Sequence, residues 1–291
     1  MAVPSLTGAS PYASAIRRSP ARAAALAVVV VALLTCTACS EARRAAQGTF
    51  TPSTAGRLVV ATELPAPGYW DGTDPAAVHG GFEWGIADAL ASHLHLQLEV
   101  RQVPFGDIVT GALGGADIAL AQVSVTDARL DDVDFSAGYD TTAPTILQRT
   151  GTEPIDSLAD AKDQQWVAIG ATTQLDYLND VVVPDQPPIV LGTLPAVVQA
   201  VASGQADAAL LDLSTALAVA KDDPGLYVPA RFDHFEQIAI VLPKDSANSQ
   251  AIDPALRELL ADGTVDRLRE QYLRPTESAD PSSILVIPAR R

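Results

Sequence analysis

The chain has 291 residues, 48% of them hydrophobic and 19% charged, with 35 acidic against 19 basic side chains and a formal charge of −16. That hydrophobic content excludes a disordered chain, and the acidic excess excludes the basic footprint of a nucleic-acid-binding protein. A chain of this length buries one large or two medium cores, and length alone predicts about two domains.

Arg17, Arg18 and Arg22 form a positive segment, Ala23 to Leu34 is uncharged and apolar but short for a bilayer span, and Thr37 and Ala38 place small residues before Cys39. This resembles a secretory leader of the lipoprotein type, with residues 1–38 removed and Cys39 lipidated. Cys36 stands where such leaders usually carry leucine. An ordinary secretory peptide or an uncleaved anchor is the competing reading. Without the leader, 16 basic residues face 35 acidic ones, a charge of −19. Cys36 and Cys39 are the only two cysteines, so the mature protein keeps one, already alkylated, and is expected to have no disulfide. A Cys-x-x-Cys redox pair is discounted because nothing folded precedes it.

Residues 39–56, rich in Ser, Thr, Ala and Gly, read as a flexible tether. Leu58 to Ala61 is then a buried strand, and Glu63 to Thr73, with Tyr69 and Trp70, a loop at its end. Phe82, Ile86, Leu90 and Leu94 recur at helical spacing, and Leu96, Leu98 and Val100 alternate with polar residues as in a strand buried on one face. Phe105, Ile108, Val109 and Leu113 predict a second helix ended by Gly114 and Gly115. Ile118 to Ala121 is the next buried strand. Strand and helix alternating in this way predict a parallel sheet with covering helices.

The stretch from Gln122 to Arg129 follows that strand, so its groups stand where ligands of open α/β sheets bind. Ser124 and Thr126 offer hydroxyls, Thr126 or Asp127 can cap a helical turn, and Arg129 is a fork-shaped cation that matches a carboxylate. Taken alone, an arginine after a cap residue is usually a solvated surface residue.

The same rhythm continues. Strands are expected at Pro144–Gln148, Trp166–Ile169, Pro188–Leu191, Ala208–Leu211 and Gln237–Leu242. Helices are expected at Leu158–Lys162, from Thr172 and Thr173, at Leu194–Ala202, Ser214–Ala220, Pro254–Ala261 and Val265–Leu273. Between the last two, Gly263 suits a left-handed helix end and Thr264 a cap. Ile284 to Ile287 in the tail either packs as an edge strand or stays loose.

Several pieces in this order resemble the family 3 extracellular solute-binding proteins, the polar-amino-acid receptors of bacterial ABC importers. They are Gly81-Phe82-Glu83, Ser124 to Arg129 followed by Val133 to Ser136, Ser157 to Lys162, Thr172-Thr173, Gly204 to Asp212, and Leu256 to Leu273 around Asp262-Gly263-Thr264. The resemblance covers Leu58 to Leu273 and implies an α/β protein of two lobes, each a mainly parallel sheet with helices on both faces, joined by two crossover strands. The crossings are expected near Thr141–Ala143 and Glu236–Ile238, giving residues 57–141 and 237–274 to lobe I, 142–236 to lobe II and 275–291 to a tail.

The resemblance also implies roles. Arg129, with Ser124, Thr172 and Thr173, would hold the α-carboxylate of an amino acid or related small zwitterion, and Asp212 its α-ammonium. Glu63, at an often acidic position, would favour a ligand with hydrogen-bond donors or positive charge, although a turn role fits equally. Tyr69 or Trp70 either lines the cleft or anchors the fold. Asp212 and Thr172 are equally able to cap helices. Gln122 stands where a small residue is usual, Ala66 where an aromatic often covers the ligand, and Ala171 where glycine usually takes a positive φ. The partners implied are an ABC permease and, through the lipid, the membrane; the receptor is expected outside the cytoplasm as a monomer, without cofactor or metal. Two rivals stay open: a cyclohexadienyl or arogenate dehydratase-like enzyme on this fold, and a ligand-sensing domain for a signalling partner. Neither a nucleophile elbow, a His-Glu-x-x-His pair nor a phosphate loop is present, and His79, His93, His95 and His234 are scattered.

Overall fold

The computed structural model describes residues 49–274 and 281–288; the leader, Cys39 and most of the tether lie outside the described residues. One sheet runs in the order β2 (Gln97–Gln102), β1 (Arg57–Thr62), β3 (Ile118–Ala119), β11 (Glu236–Pro243), β4 (Val133–Thr142). Its β1 is parallel to both neighbours, while β11 is antiparallel to β3 and β4. The apolar run of β1 is buried on both faces because alternate side chains enter different cores. Leu58 and Val60 join a cluster under α1 (Phe82–His93), α7 (Ser249–Ala261) and α8 (Thr264–Tyr272). Val59 and Ala61 join the opposite one, with Ile108 of α2 (Phe105–Ile108).

The second sheet contains β5 (Pro144–Arg149), β6 (Trp166–Ile169), β7 (Ile189–Leu191), β8 (Ala208–Asp212), β10 (Ala230–Phe232) and β12 (Leu285–Ile287) in the order β12-β10-β5-β8-β6-β7, and β9 (Leu226–Tyr227) also pairs with β5. Helices α3 (Leu158–Lys162), α4 (Thr173–Tyr177), α5 (Leu194–Ser203) and α6 (Leu213–Asp222) accompany it, and α4 runs on into a π-helical turn over Leu178–Val182. Alternation again feeds two cores, Ile146 entering one and Leu147 the other. Both sheets are mixed rather than mainly parallel: the parallel trios β2-β1-β3 and β8-β6-β7 form one side of each, and the pairing turns antiparallel where the crossing strands β11 and β4, and β5, join.

The chain leaves the first sheet after Thr142, enters the second at Pro144 and returns at Glu236, which lies opposite Thr142. Arg269 of α8 pins this crossing: it is ion-paired with Asp140, donates to the Tyr139 carbonyl at 3.0 Å and lies over the Phe82 ring.

Three local expectations change. The second helix stops at Ile108 rather than near Leu113, because Thr110 turns its hydroxyl to the Asp107 carbonyl and Gly111 takes a φ of 81°. Helix α7 starts at Ser249, five residues before Pro254; the ring falls early in the helix, and Ala251, Ile252, Ala255 and Leu256 on either side of it are buried. Gly263 is left-handed as expected, but Thr264 is the first helical residue and its N–H is accepted by the Asp262 carboxylate. The tail question is resolved toward an edge strand: β12 pairs parallel with β10 and buries Ile287.

Candidate ligand-binding cleft

Parallel strands deliver their carboxyl ends to one place, and the loops that follow them can converge there. Glu63 follows β1, Phe105 follows β2, and Ala121, Gln122 and Ser124 follow β3; Thr172 follows β6, Thr193 follows β7, and Asp212 ends β8. All of these residues, with Arg129, line one cleft of about 780 Å³, counting the part open to solvent.

Arg129 opens a short 3₁₀ turn whose N–H is accepted by the Thr126 hydroxyl at 3.3 Å, so the expected cap is present. Its guanidinium is buried. Nη1 donates to the Ser124 carbonyl at 2.7 Å, Nη2 donates to the Ala171 carbonyl at 3.0 Å, and the Phe105 ring lies 5.5 Å away. Burial lowers its pKa, and the carboxylates of Glu236, Asp176 and Asp212 act against that. A guanidinium has five N–H donors, so others remain for a guest.

Asp212 occupies the cap position of α6 without capping it. Its Oδ1 instead accepts from Gln174 Nε2 at 2.7 Å. Burial, then the nearby Glu236, push its pKa up to about 7, against a hydrogen bond from Thr142 and the charge of Arg129. Thr172 does cap α4, accepting from Leu175 N–H at 3.3 Å. Both threonine hydroxyl protons are committed, Thr172 to the Ile169 carbonyl and Thr173 to Glu236, each at 2.7 Å. What those residues offer an anion is therefore their backbone at the start of α4, not their side chains. Glu63 accepts from Phe105 N–H at 3.0 Å, and its pKa is raised by burial.

Tyr69 and Trp70 are not in the cleft lining; both are buried in the first core. Gly81 explains why: at φ 114° it brings the start of α1 so close that a Cβ would stand 2.2 Å from the Tyr69 carbonyl oxygen, which seals the two aromatics beneath the helix. The Tyr69 hydroxyl is hydrogen-bonded to the side chain of Ser214, two residues after Asp212. The Trp70 indole donates to Glu83 at 2.8 Å. Two non-glycine residues of the lining loops are left-handed, Gln122 at φ 49° and Ala171 at φ 62°. Residues that pattern reading passed over include Phe105, Gln174 and the Thr193-Leu194-Pro195 segment. The signal available for Phe105 and Thr193 was their position just after β2 and β7, the rule already used for Arg129.

Among the described residues no helix is long and apolar enough to cross a membrane, and no group of three or more His, Cys, Asp or Glu side chains could hold a metal ion.

Two α/β lobes, two crossings and a cleft between strand ends define a periplasmic-binding-protein fold of type II. Residues 58–275 match the bacterial extracellular solute-binding proteins, family 3, and the chain belongs to that family. It is 30% identical over 204 residues to the amino-acid-binding protein AabA of Dichelobacter nodosus, covering 66% of this chain and 78% of that one. An ancestral arginine-binding protein solved with glutamine superposes with a TM-score of 0.68 at 26% identity, over 75% of this chain and 98% of its own. An ancestral amino-acid-binding protein described as a precursor of cyclohexadienyl dehydratase gives 0.67 at 25% identity, over 75% and 96%.

Proposed function

We propose that this solute-binding protein encloses a small amino-acid-like zwitterion between its lobes and hands it to an ABC permease. The observation that carries this reading is the placement of Arg129 and Asp212, one after a strand of each sheet, in the lining of the same cleft. A zwitterion entering that space loses hydration at both charged ends and needs a partner for each. The guanidinium serves the carboxylate, helped by Ser124 and by the backbone at Thr172 and Thr173, and the Asp212 carboxylate serves the ammonium. Ser124 and Gln122 complete the wall beside Arg129. Glu63 favours a side chain with N–H donors or positive charge, since its carboxylate takes one bond from Phe105 and is otherwise turned to the lining.

Because the two charged partners come from different sheets, only a closed cleft lets one guest touch both, and closure follows from that difference in affinity. The lobes are taken as 57–141 with 237–274 and as 142–236. Lipid attachment at Cys39, the tether through Gly56, a monomeric state and a site outside the cytoplasm complete the proposal and suit a receptor that serves a separate permease. A thermal-shift screen of the leaderless protein against the common amino acids tests it, since a guest of the folded state raises apparent stability by mass action. A positive shift with amino acids, lost when either the carboxylate or the amine is absent, is expected; indifference to all of them refutes it.

A second reading rests on Asp212. A half-buried cleft carboxyl with a pKa of about 7 is poised for proton transfer, and the fold is shared with the dehydratase precursor. Turnover of arogenate or prephenate by the purified protein would establish that reading.

A further inference from the structure

Glu83 does not line the cleft, yet its carboxylate is fully buried and accepts four hydrogen bonds. Oε2 accepts from the Trp70 indole and from Gln122 Nε2, each at 2.8 Å. Oε1 accepts from the Gln122 backbone N–H at 2.8 Å and from the Tyr139 hydroxyl. Two of the four bonds thus end on one residue, and that residue is left-handed at φ 49°. A residue with a Cβ is disfavoured there relative to glycine by about five- to thirtyfold.

We propose that Glu83 is a positioning residue for the cleft, gripping Gln122 by backbone and side chain so that the segment behind Arg129 keeps its shape. The consequence travels along the chain. Two residues beyond Gln122, the Ser124 carbonyl holds Arg129 Nη1 at 2.7 Å, and between them the Val123 carbonyl accepts from Ala239 N–H at 3.1 Å. Ser124 is bridged to Ile238, with Val125 N–H also donating to the Gln237 carbonyl at 2.8 Å, so if Gln122 relaxes to an ordinary conformation the strain falls on that bridge and on the carbonyl that supports the guanidinium. A carboxylate is required because all four partners are donors. An amide of the same shape would turn an NH₂ toward a group that can only donate, the Gln122 backbone N–H or the Trp70 indole, whichever way it sat.

The proposal rests on the amino-acid reading above, and its test separates the two. The leaderless protein and four variants, Gln122→Gly, Gln122→Ala, Glu83→Gln and Glu83→Gln with Gln122→Gly, are titrated calorimetrically with whichever of the twenty common L-amino acids most stabilises the parent. Glycine needs no clamp at φ 49°. The Gln122→Ala protein should therefore bind about five- to thirtyfold more weakly than Gln122→Gly, since alanine keeps the conformational penalty without the side-chain bond. Glu83→Gln should weaken the parent about tenfold or more, but the Gln122→Gly protein about threefold or less. Equal binding by the alanine and glycine variants, or equal losses from Glu83→Gln in both backgrounds, overturns the clamp. If none of the twenty affects the parent, the amino-acid reading fails while the clamp is still decided by ligand-free melting temperatures. Glu83→Gln must then lower Tm less in the Gln122→Gly background than in the parent, and an equal drop overturns it. Should Glu83→Gln not fold, equal binding by the Gln122→Ala and Gln122→Gly proteins still overturns the clamp.

Discussion

Lowering the pH should weaken binding through Asp212, and the size of the effect follows from its surroundings. In the empty cleft, burial and the neighbouring Glu236 hold its pKa at about 7. An ammonium guest needs the ionised carboxylate, so it must displace a proton from whatever fraction of the protein still carries one. If the bound form stays ionised throughout, the apparent dissociation constant rises with protonation, to about elevenfold at pH 6 and about a hundredfold at pH 5, and is nearly level above pH 8. Calorimetry in buffers of different ionisation enthalpy reads both quantities: the affinity at each pH, and the release of close to one proton per guest below neutrality. Asp212→Asn is the control, because it should bind weakly at every pH with a flat profile. Constant affinity between pH 5 and 8 with no proton release would show that Asp212 does not meet the ammonium.

Three further outcomes are expected. The ligand-free protein should lose stability as pH rises from about 4 to about 7, because the raised pKa of Asp212 makes the folded state bind the proton more tightly than the unfolded chain across that window; the loss is about 2–4 kcal/mol. Urea titrations at pH 5 and 8 measure it, and Asp212→Asn should remove the difference. Arg129→Ala should cost about 2–5 kcal/mol of binding, roughly thirtyfold to several-thousandfold, the range for removing one partner of a desolvated charge pair; unchanged affinity by calorimetry would remove Arg129 from the site. Ile287→Ala should destabilise folding by about 2–4 kcal/mol with affinity retained, since Ile287 is buried in the second core; an unchanged urea midpoint would mean the edge strand adds nothing.

Much of this was readable because parallel strands announce themselves as short apolar runs and because the strand ends locate the cleft. Leu58–Ala61, Trp166–Ile169 and Ala208–Leu211 gave the frame; the residues just after them gave Glu63, Thr172 and Asp212. Pattern reading stopped where contacts distant in sequence decide. Tyr69 and Trp70 sit on a Pro- and Gly-rich loop after a strand, which is also what a cleft-lining aromatic looks like. Only the turn at Gly81, laid back over the Tyr69 carbonyl, puts them under a helix. The threonine pair is a similar case: capping by Thr172 is local and was legible, whereas the commitment of Thr173 to Glu236, 63 residues away, was not. The role of Glu83 was invisible for the same reason, since its donors come from residues 70, 122 and 139.

Closure and protonation should also be linked without any guest. Arg129 bonds the Ser124 carbonyl on its own side and the Ala171 carbonyl on the other, so parting the lobes breaks the second bond at once. Parting them also wets Asp212. Desolvation is the main reason its pKa is high, so an open cleft moves that pKa back toward the ordinary carboxylate range. The closed empty form is thus the better proton binder, and acid favours it; alkali, by charging Asp212 close to Glu236, favours opening. Small-angle scattering from the leaderless, ligand-free protein should give a larger radius of gyration at pH 8 than at pH 5.5. In Asp212→Asn the radius should not change with pH. A parent radius independent of pH would mean that the charge on Asp212 is tolerated in the closed cleft, and that the Arg129 guanidinium already compensates it there.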